Sequence, residues 1–191
     1  MPKKKFSFVD VAAFGFISEP RYYFYGWSRS ARVFGRESAV QALLRAKKSL
    51  PKGYSFKVWD CRRPRSVQLT MLDSFFRRFR SQYPRASKSK IEEMVFRFGM
   101  KPSRRITRLD THRNGGSFDL TIVDRAGGEL YMGTDHDDLT QKAATDYFES
   151  KTSLLPRHKE AKKNRRLLSR VMIKAGFINY AREWWHWSYP K

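Results

Sequence analysis

The order of two kinds of hydrophobic pattern constrains the fold of this 191-residue chain most strongly. Apolar residues recur at helical spacing, which predicts helices at 37–50, 65–81, 89–98 and 159–175. Other segments have the apolar patterns of strands, which predicts strands at 54–60, 117–124 and 129–132, a tight turn at 125–128, and a closing hairpin of 177–180 and 183–189. Because most of the helices precede most of the strands, the pattern indicates an α+β domain in which helices flank an antiparallel sheet.

The length predicts a single domain over residues 1–191, because a chain of this size can bury a full core. Hydrophobic residues make up 40% and aromatic residues 15% of the chain, which excludes a disordered protein. The sequence contains no run of about 18 apolar residues, so we expect no membrane-spanning helix. The N-terminal segment lacks an apolar centre followed by a small-residue cleavage site, so we expect no signal peptide and a cytoplasmic location. Export by another route stays open.

The charge is unusual for a domain of this size. Forty Lys and Arg residues against 18 Asp and Glu residues give a net charge of +22. Such a surface attracts polyanions, which include nucleic acid, anionic lipid and anionic cell-wall polymer. Since the sequence carries no recognised nucleic-acid motif, we expect only weak, non-specific polyanion binding. Solvated helix faces are the alternative interpretation.

The first chemical pattern joins His112 to Asp119 across a pair of glycines. A spacing of seven would place these two side chains on opposite faces of a regular strand. Gly115 and Gly116 interrupt that regularity and permit a turn, so His112 can fold back beside Asp119. An imidazole nitrogen and a carboxylate oxygen are ligands that suit zinc. The alternative is a purely structural role for Asp119.

The second pattern is the tetrapeptide 183–186, Glu-Trp-Trp-His. In a straight strand Glu183 and His186 would face opposite ways, whereas a bulge or a local turn would bring both to one side of the sheet. The two tryptophans could then exclude water from the site. The alternative is an aromatic-rich terminal strand that packs on the core and leaves Glu183 and His186 exposed.

Taken together, the two patterns predict a catalytic zinc site with one zinc per chain. Such a site needs three protein ligands and an open position, and His112, Asp119 and His186 supply the ligands. It also needs a carboxylate outside the ligand set to accept a proton from the attacking water, and Glu183 supplies that base.

The order of these motifs resembles the D-alanyl-D-alanine dipeptidase family, which carries His-x6-Asp and then a late Glu-x-x-His inside Glu-Trp-Trp-His. The segment 59–64 (WDCRRP) resembles the family's Asp-x-Tyr-Arg-Pro, and 132–137 (MGTDHD) resembles its Met-Gly-Thr-x-Phe-Asp. Residues 164–168 (NRRLL) resemble the family's approach to Glu-Trp-Trp-His. The likeness runs from residue 8 to residue 187 in the same order.

The resemblance implies a zinc-dependent dipeptidase that hydrolyses short D,D-dipeptides or other peptidoglycan-derived peptides. It places Arg63 at the family's transition-state arginine and Asp137 at the carboxylate that contacts the amino group of the substrate. By the same analogy Thr111 and Tyr22 are predicted to contact the substrate.

Three departures from the family pattern fall near the expected substrate: Arg62 replaces a Tyr, Asn114 an Arg, and His136 a Phe. They leave two other functions open. One is a peptidoglycan carboxypeptidase or endopeptidase on the same scaffold, and the other is a non-catalytic, zinc-stabilised module that binds polyanions.

Several single residues also have a second interpretation. Arg63 could be an ordinary surface or salt-bridge arginine, and Asp137 could cap a helix that begins near residue 138. We interpret His136 and His158 as ordinary polar residues, with a fourth-ligand role for His136 as the alternative. Cys61 is not expected to be a nucleophile, because the sequence shows no His-Asn partnership for it.

Overall fold

The computed structural model describes residues 6–102 and 111–190. Its strands are β1 (Phe8–Asp10), β2 (Ile17–Ser18), β3 (Phe34–Arg36), β4 (Ser55–Asp60), β5 (Ser117–Val123), β6 (Ile178–Asn179) and β7 (His186–Ser188). Its α-helices are α1 (Arg21–Phe24), α2 (Glu37–Lys47), α3 (Arg65–Gln82), α4 (Lys88–Phe96) and α5 (Pro156–Lys174). Short 3-10 helices cover Val11–Phe14 and Gln141–Ala143.

The main sheet has five strands in the order β2-β4-β5-β7-β6. All its neighbours are antiparallel except β2 and β4, which are parallel. β1 and β3 form a separate antiparallel pair. The predicted α+β class with a mainly antiparallel sheet is therefore confirmed, and the parallel β2–β4 pair is an addition that the sequence pattern did not indicate.

Two apolar clusters hold these layers together. The larger one packs α2 and α5 against the main sheet and contains four buried tryptophans, Trp59, Trp184, Trp185 and Trp187. The smaller one joins α3 to α4 through Met71, Phe75, Phe79, Ile91 and Val95. Every residue of β5 is buried, so both faces of the central strand are covered. A strand buried on both faces is held rigidly, which suits it to carry a functional side chain.

Several element boundaries differ from the predicted ones. The strand predicted at 129–132 is reduced to a bridge between Glu129 and Val123 and one hydrogen bond from Leu130 N to Ile122 O, 2.9 Å long. Gly133, shortly after these contacts, has a φ of +92°. Likewise, the strand predicted at 183–189 forms only over His186–Ser188, because a turn occupies the residues before it. α5 begins at Pro156, three residues earlier than predicted, since proline is well suited to the first helical turn.

Within the described ranges, no helix is both long enough and apolar enough to cross a bilayer.

Candidate active site

Three neighbouring strands align the first functional side chains. Asp119 of β5 lies opposite His186 of β7 on one side and opposite Asp60 of β4 on the other. Residues directly opposite one another in antiparallel strands point to the same face of the sheet. Asp60 reaches this row through a bulge, because Val58 pairs with Leu120 and the intervening residue of β4 is extra. The register of the sheet therefore gathers two acids and a histidine on one face.

His112 joins this row from the turn that precedes β5. Gly115 N donates to His112 O over 3.0 Å, and Gly115 has a φ of +68°, which a side chain would disfavour. A Cβ at Gly115 would also lie 2.8 Å from Arg36 N. Arg63 N donates to His112 O as well, over 3.1 Å. The glycine turn inferred from the sequence is present, and it brings His112 back toward Asp119.

His112, Asp119 and His186 form a group that could hold a metal ion, since their ligand atoms all lie within 4.8 Å of one another. His112 Nε2 is 3.1 Å from His186 Nδ1 and 3.4 Å from Asp119 Oδ1. His186 Nδ1 is 3.1 Å from Asp119 Oδ1. Two imidazole nitrogens and one carboxylate oxygen are a donor set that zinc accepts.

The outer nitrogens of both histidines have protein partners. His112 Nδ1 is 2.7 Å from Cys61 O, and because a carbonyl can only accept, Nδ1 carries the proton and Nε2 is free to act as a ligand. Asp60 Oδ2 lies 3.2 Å from the same Nδ1. His186 Nε2 is 3.2 Å from Ser188 Oγ, which leaves Nδ1 directed at Asp119. Both rings are thus oriented toward the cluster.

The electrostatics of the cluster favour positive charge. Burial raises the pKa of Asp119, but the nearby histidines, led by His112, lower it more, so the pKa lies well below its ordinary value. Burial and Arg63 both lower the pKa of His112, yet Asp119 and Asp60 outweigh them and raise it to about 9. Burial lowers the pKa of His186. A proton and a metal cation would therefore compete for this group of ligands.

Arg63 lies inside the site, so it is not a surface arginine, but the other half of that alternative holds because it forms salt bridges with two acids. Its Nη2 is 2.9 Å from Asp119 Oδ2, and its Nε is 2.8 Å from Asp60 Oδ2. The guanidinium also lies 4.7 Å from the centre of the Tyr22 ring. Tyr22 is buried beneath Arg63, and its hydroxyl donates to Met71 Sδ over 3.4 Å. Arg63 therefore lies beside the possible metal ligands.

Glu183 stands next to the cluster in the turn that leads into β7. Glu183 N donates to Tyr180 O, and His186 N donates to Glu183 O. This turn puts Glu183 Oε2 3.8 Å from His186 Nδ1. The two side chains are therefore brought to one side by a local turn, as the catalytic interpretation of the tetrapeptide 183–186 requires. Burial, followed by the charges of Asp119 and Asp137, raises the pKa of Glu183 well above its ordinary value.

Asp137 and His136 occupy the loop that follows Gly133. Asp137 has a φ of +58°, and burial raises the pKa of its carboxyl group. The helix-cap alternative is wrong for the described residues, because Thr140 caps the 3-10 helix at Gln141–Ala143. His136 is not the ordinary polar residue that we inferred, since its buried ring lies 3.6 Å from Asp119 Oδ2. It lies outside the group that could hold a metal, which argues against the fourth-ligand alternative.

Three other residues considered from the sequence are Thr111, His158 and Cys61. Thr111 begins the glycine turn, and its carbonyl accepts hydrogen bonds from the backbone N–H groups of Gly116 and Ser117. His158 packs its ring against Phe148, which agrees with an ordinary structural role. Burial raises the pKa of the Cys61 thiol well above its ordinary value, so Cys61 is not activated as a nucleophile.

A comparison with protein families decides where this chain belongs. The family described as D-ala-D-ala dipeptidase matches residues 25–191, which include every side chain of the cluster. The chain belongs to the D-ala-D-ala dipeptidase family. Membership places it among the peptidases.

Relatives within the dipeptidase family are similar over most of the chain. A D-alanyl-D-alanine dipeptidase of Streptomyces coelicolor is 30% identical over 161 residues, which cover 82% of this chain and 73% of the relative. One from Enterococcus faecalis is 28% identical over 158 residues, with the same two coverages. One from Synechocystis is 26% identical over 142 residues, 69% of this chain and 58% of the relative. The aligned part therefore spans little more than half of the Synechocystis protein.

The dipeptidase pattern did not reveal every residue of the site. Asp60 is part of the segment 59–64 that resembles the family, but that resemblance assigns it no role, although it bonds Arg63 and faces His112. Its position at the end of a predicted strand, next to a loop, is the signal that the sequence offers. Ser188, behind His186, has no such signal. His136 stands out in the sequence as a departure from the family and as a possible fourth ligand, but its place between two carboxylates is visible only in the structure.

Proposed function

We propose that this chain is a zinc-dependent dipeptidase that hydrolyses short D-amino-acid dipeptides linked to peptidoglycan metabolism. The observation that carries the proposal is the convergence of His112, Asp119 and His186 with a fourth group, Glu183, which stands 3.8 Å from His186 and lies outside the candidate ligands. A structural zinc site would use all its protein groups as ligands, whereas a catalytic one keeps a position open beside a base.

Each residue of the site has a proposed role. His112, Asp119 and His186 hold one zinc ion. Zinc bound there would supply Lewis acidity and lower the pKa of water toward about 7. Glu183 accepts the proton of the attacking water and later delivers it to the leaving amine, a task that its raised pKa suits. Arg63 stabilises the negative charge that develops on the carbonyl oxygen, because it carries a permanent charge beside Asp119.

The substrate proposal depends on the carboxylate of Asp137. Asp137 Oδ2 is buried without a hydrogen-bond partner among the described residues, so a free ammonium group would satisfy it. A short peptide with a free amino terminus provides that group one residue before the scissile bond. Thr111 and Tyr22 are proposed to contact the same substrate. The relatives named D-alanyl-D-alanine dipeptidase support D-Ala-D-Ala as the first compound to test.

A second candidate is a carboxypeptidase or endopeptidase that acts on longer stem peptides. It is favoured by His136, which lies 3.6 Å from Asp137 Oδ2 and so gives that carboxylate a neighbour within the protein. The non-catalytic alternative is disfavoured by Glu183, because burying an acid beside a binding site is costly without a task for it.

The test compares zinc-loaded and metal-stripped protein on D-Ala-D-Ala, its N-acetyl form and a stem pentapeptide, with products identified by mass spectrometry. Cleavage of the free dipeptide only by the zinc-loaded form supports the proposal. Faster cleavage of the acetylated or pentapeptide substrate would assign the second candidate instead. A His186→Ala variant analysed for zinc checks the site itself, and a zinc content equal to that of the wild type would show that the metal binds elsewhere.

A further inference from the structure

His136 is a buried imidazole whose two nitrogens face two different carboxylates. Nε2 lies 3.6 Å from Asp119 Oδ2, and Nδ1 lies 3.6 Å from Asp137 Oδ2. The side chain has no exposed surface, and neither nitrogen has a hydrogen-bond partner among the described residues. The polar edge of this ring is therefore directed at the two acids and not at water.

An aromatic enclosure fixes the orientation of that ring. The centre of the His136 ring is 4.9 Å from that of Trp59 and 6.0 Å from that of Tyr22. Trp185 meets it edge-on with the centres 5.6 Å apart. The family segment that 132–137 resembles has phenylalanine at this position, and a phenyl ring would suit the same apolar enclosure. The difference between the two rings is therefore the polar edge of the imidazole, since shape and burial are similar.

The polar edge changes what Asp137 requires from a ligand. A buried carboxylate without a partner is costly, and a site of that kind rejects any ligand that fails to supply the missing group. Asp137 Oδ2 is such an atom, and His136 is the neighbour that faces it. With phenylalanine at position 136, the ammonium group of the ligand would have to satisfy the carboxylate alone. With histidine, a polar ring nitrogen already lies 3.6 Å from the carboxylate, beyond hydrogen-bond distance but within reach of an electrostatic interaction.

We propose that His136 is a specificity-determining residue that relaxes the requirement of the site for a free amino terminus. The inference rests on the proposed function, because it assumes that Asp137 receives the ammonium group of a peptide. Through His136 the site accepts N-acylated peptides better than a site with phenylalanine at that position would. His136 acts through Asp137 and needs no contact with the substrate.

The test measures binding, so it does not depend on turnover. Zinc-loaded Glu183→Gln protein, in which turnover should be strongly reduced, is titrated calorimetrically with D-Ala-D-Ala and with N-acetyl-D-Ala-D-Ala. The same titrations are made with His136→Phe, His136→Asn and His136→Gln added. An asparagine amide can reproduce the Nδ1 contact with Asp137, whereas the longer glutamine reproduces the Nε2 contact with Asp119. The asparagine and glutamine variants are therefore matched controls for the two ends of the ring.

We expect the preference for the free dipeptide over the acetylated one to rise about tenfold in the phenylalanine and glutamine variants, and to stay near the original value in the asparagine variant. An equal preference in all four proteins would overturn the inference while leaving the proposed function intact. Failure of all four to bind either ligand would overturn both. Zinc content and the melting temperature show whether each variant is folded. If the phenylalanine variant does not fold, the comparison of the asparagine and glutamine variants tests the inference by itself.

Discussion

Asp60 shows how much of the site depends on one residue that is not a candidate ligand. Its Oδ2 lies 2.8 Å from Arg63 Nε and 3.2 Å from His112 Nδ1. Burial raises the pKa of Asp60, but Arg63 and His112 outweigh it, so the pKa lies below its ordinary value and the carboxylate stays charged. One buried charge therefore orients both the arginine and a candidate ligand.

We predict that Asp60→Asn weakens zinc binding about 10- to 100-fold, because groups behind metal ligands typically contribute that much. An amide has nearly the same shape but cannot pair with the charge of Arg63. The measurement is competition with a chromophoric chelator. Asp73→Asn is the control, since Asp73 is an exposed acid that pairs with Arg77 on α3. Equal affinities in the two variants would contradict the role assigned to Asp60.

Glu183→Gln separates the proposed base from the ligands. We expect zinc affinity to change only a few-fold and turnover to fall about 10²- to 10⁴-fold, because an amide cannot accept the proton. Zinc analysis and the initial rate on D-Ala-D-Ala check both statements. Glu160→Gln, an exposed acid of α5, is the matched control and should keep the wild-type rate. Near-normal activity of the Glu183 variant would mean that another group is the base.

At the scale of elements, α5 holds the loop that carries His136 and Asp137. Arg165 is buried in this helix and donates three hydrogen bonds to backbone carbonyls, those of Met132, Lys142 and Ala144, at distances of 2.6 to 2.9 Å. Burial lowers the pKa of Arg165 to about 10, which leaves it charged near neutral pH. The position of the proposed ammonium-binding carboxylate thus depends on a helix that contributes no ligand.

Replacing Arg165 with Met should therefore destabilise the fold by roughly 2–4 kcal/mol, because three carbonyls lose their buried donor. We also expect KM for the dipeptide to rise while zinc content is kept, since none of the proposed ligands lies on this loop. Chemical denaturation and steady-state kinetics measure the two effects. The neighbouring Arg166 is exposed and bound to Glu149, so Arg166→Met should leave both nearly unchanged. Loss of zinc from the Arg165 variant would argue for a wider structural role.

Within the main sheet, Lys57 of β4 bridges two acids. Its Nζ is 3.0 Å from Glu19 Oε2 and 2.9 Å from Glu129 Oε1. Burial raises the pKa of Glu19, but Lys57 and Arg21 lower it further, so the folded pKa lies below the unfolded one. Such a group stabilises the fold above its unfolded pKa and loses that effect as the pH falls through its folded pKa.

Glu19→Gln should consequently reduce the loss of stability between about pH 5 and pH 3, the range in which the glutamate changes its charge. The measurement is the midpoint of urea denaturation across that range. Glu160→Gln serves again as the control, because Glu160 is an exposed acid of α5 far along the chain from this bridge. An identical pH profile for wild type and the Glu19 variant would show that the bridge adds nothing to stability.

For the whole molecule, the dominant property is the charge of +22. Part of it lies on one face of α5, where basic residues recur every three or four positions and are exposed: Lys159, Lys163, Arg166, Arg170 and Lys174. Residues at that spacing lie along one side of a helix. An acid pairs with some of this charge, since Glu149 contacts Lys162 and Arg166.

We predict that polyanion binding is weak, independent of sequence and lost with salt, because counterion release would drive it. Fluorescence anisotropy with two unrelated DNA oligonucleotides and with polyglutamate, at several salt concentrations, checks this. Reversing Lys159, Lys163 and Arg170 to Glu should weaken all three interactions alike. Binding that resists salt and discriminates between the two oligonucleotides would favour the non-catalytic alternative.

Local sequence patterns are enough to predict the parts of this protein that depend on short-range order. The turn at Gly115 and Gly116, the central strand β5 and the α+β class follow from glycine freedom and hydrophobic period, which act over a few residues. The candidate ligands were identified because their residue types and spacing are informative without coordinates, although two alternatives for the Glu-Trp-Trp-His turn had to stay open. The hydrogen bonds of the folded chain were needed to choose between them.

The tertiary structure also decided the roles of Asp60 and His136. Asp60 faces Asp119 only because a bulge shifts β4 by one residue against a strand some 59 positions away. His136 reaches Asp119 because Arg165, 29 positions later in the chain, holds its loop. These placements result from packing and hydrogen bonds between distant segments, whose free energies are set by the assembled fold and leave no periodic pattern in the sequence.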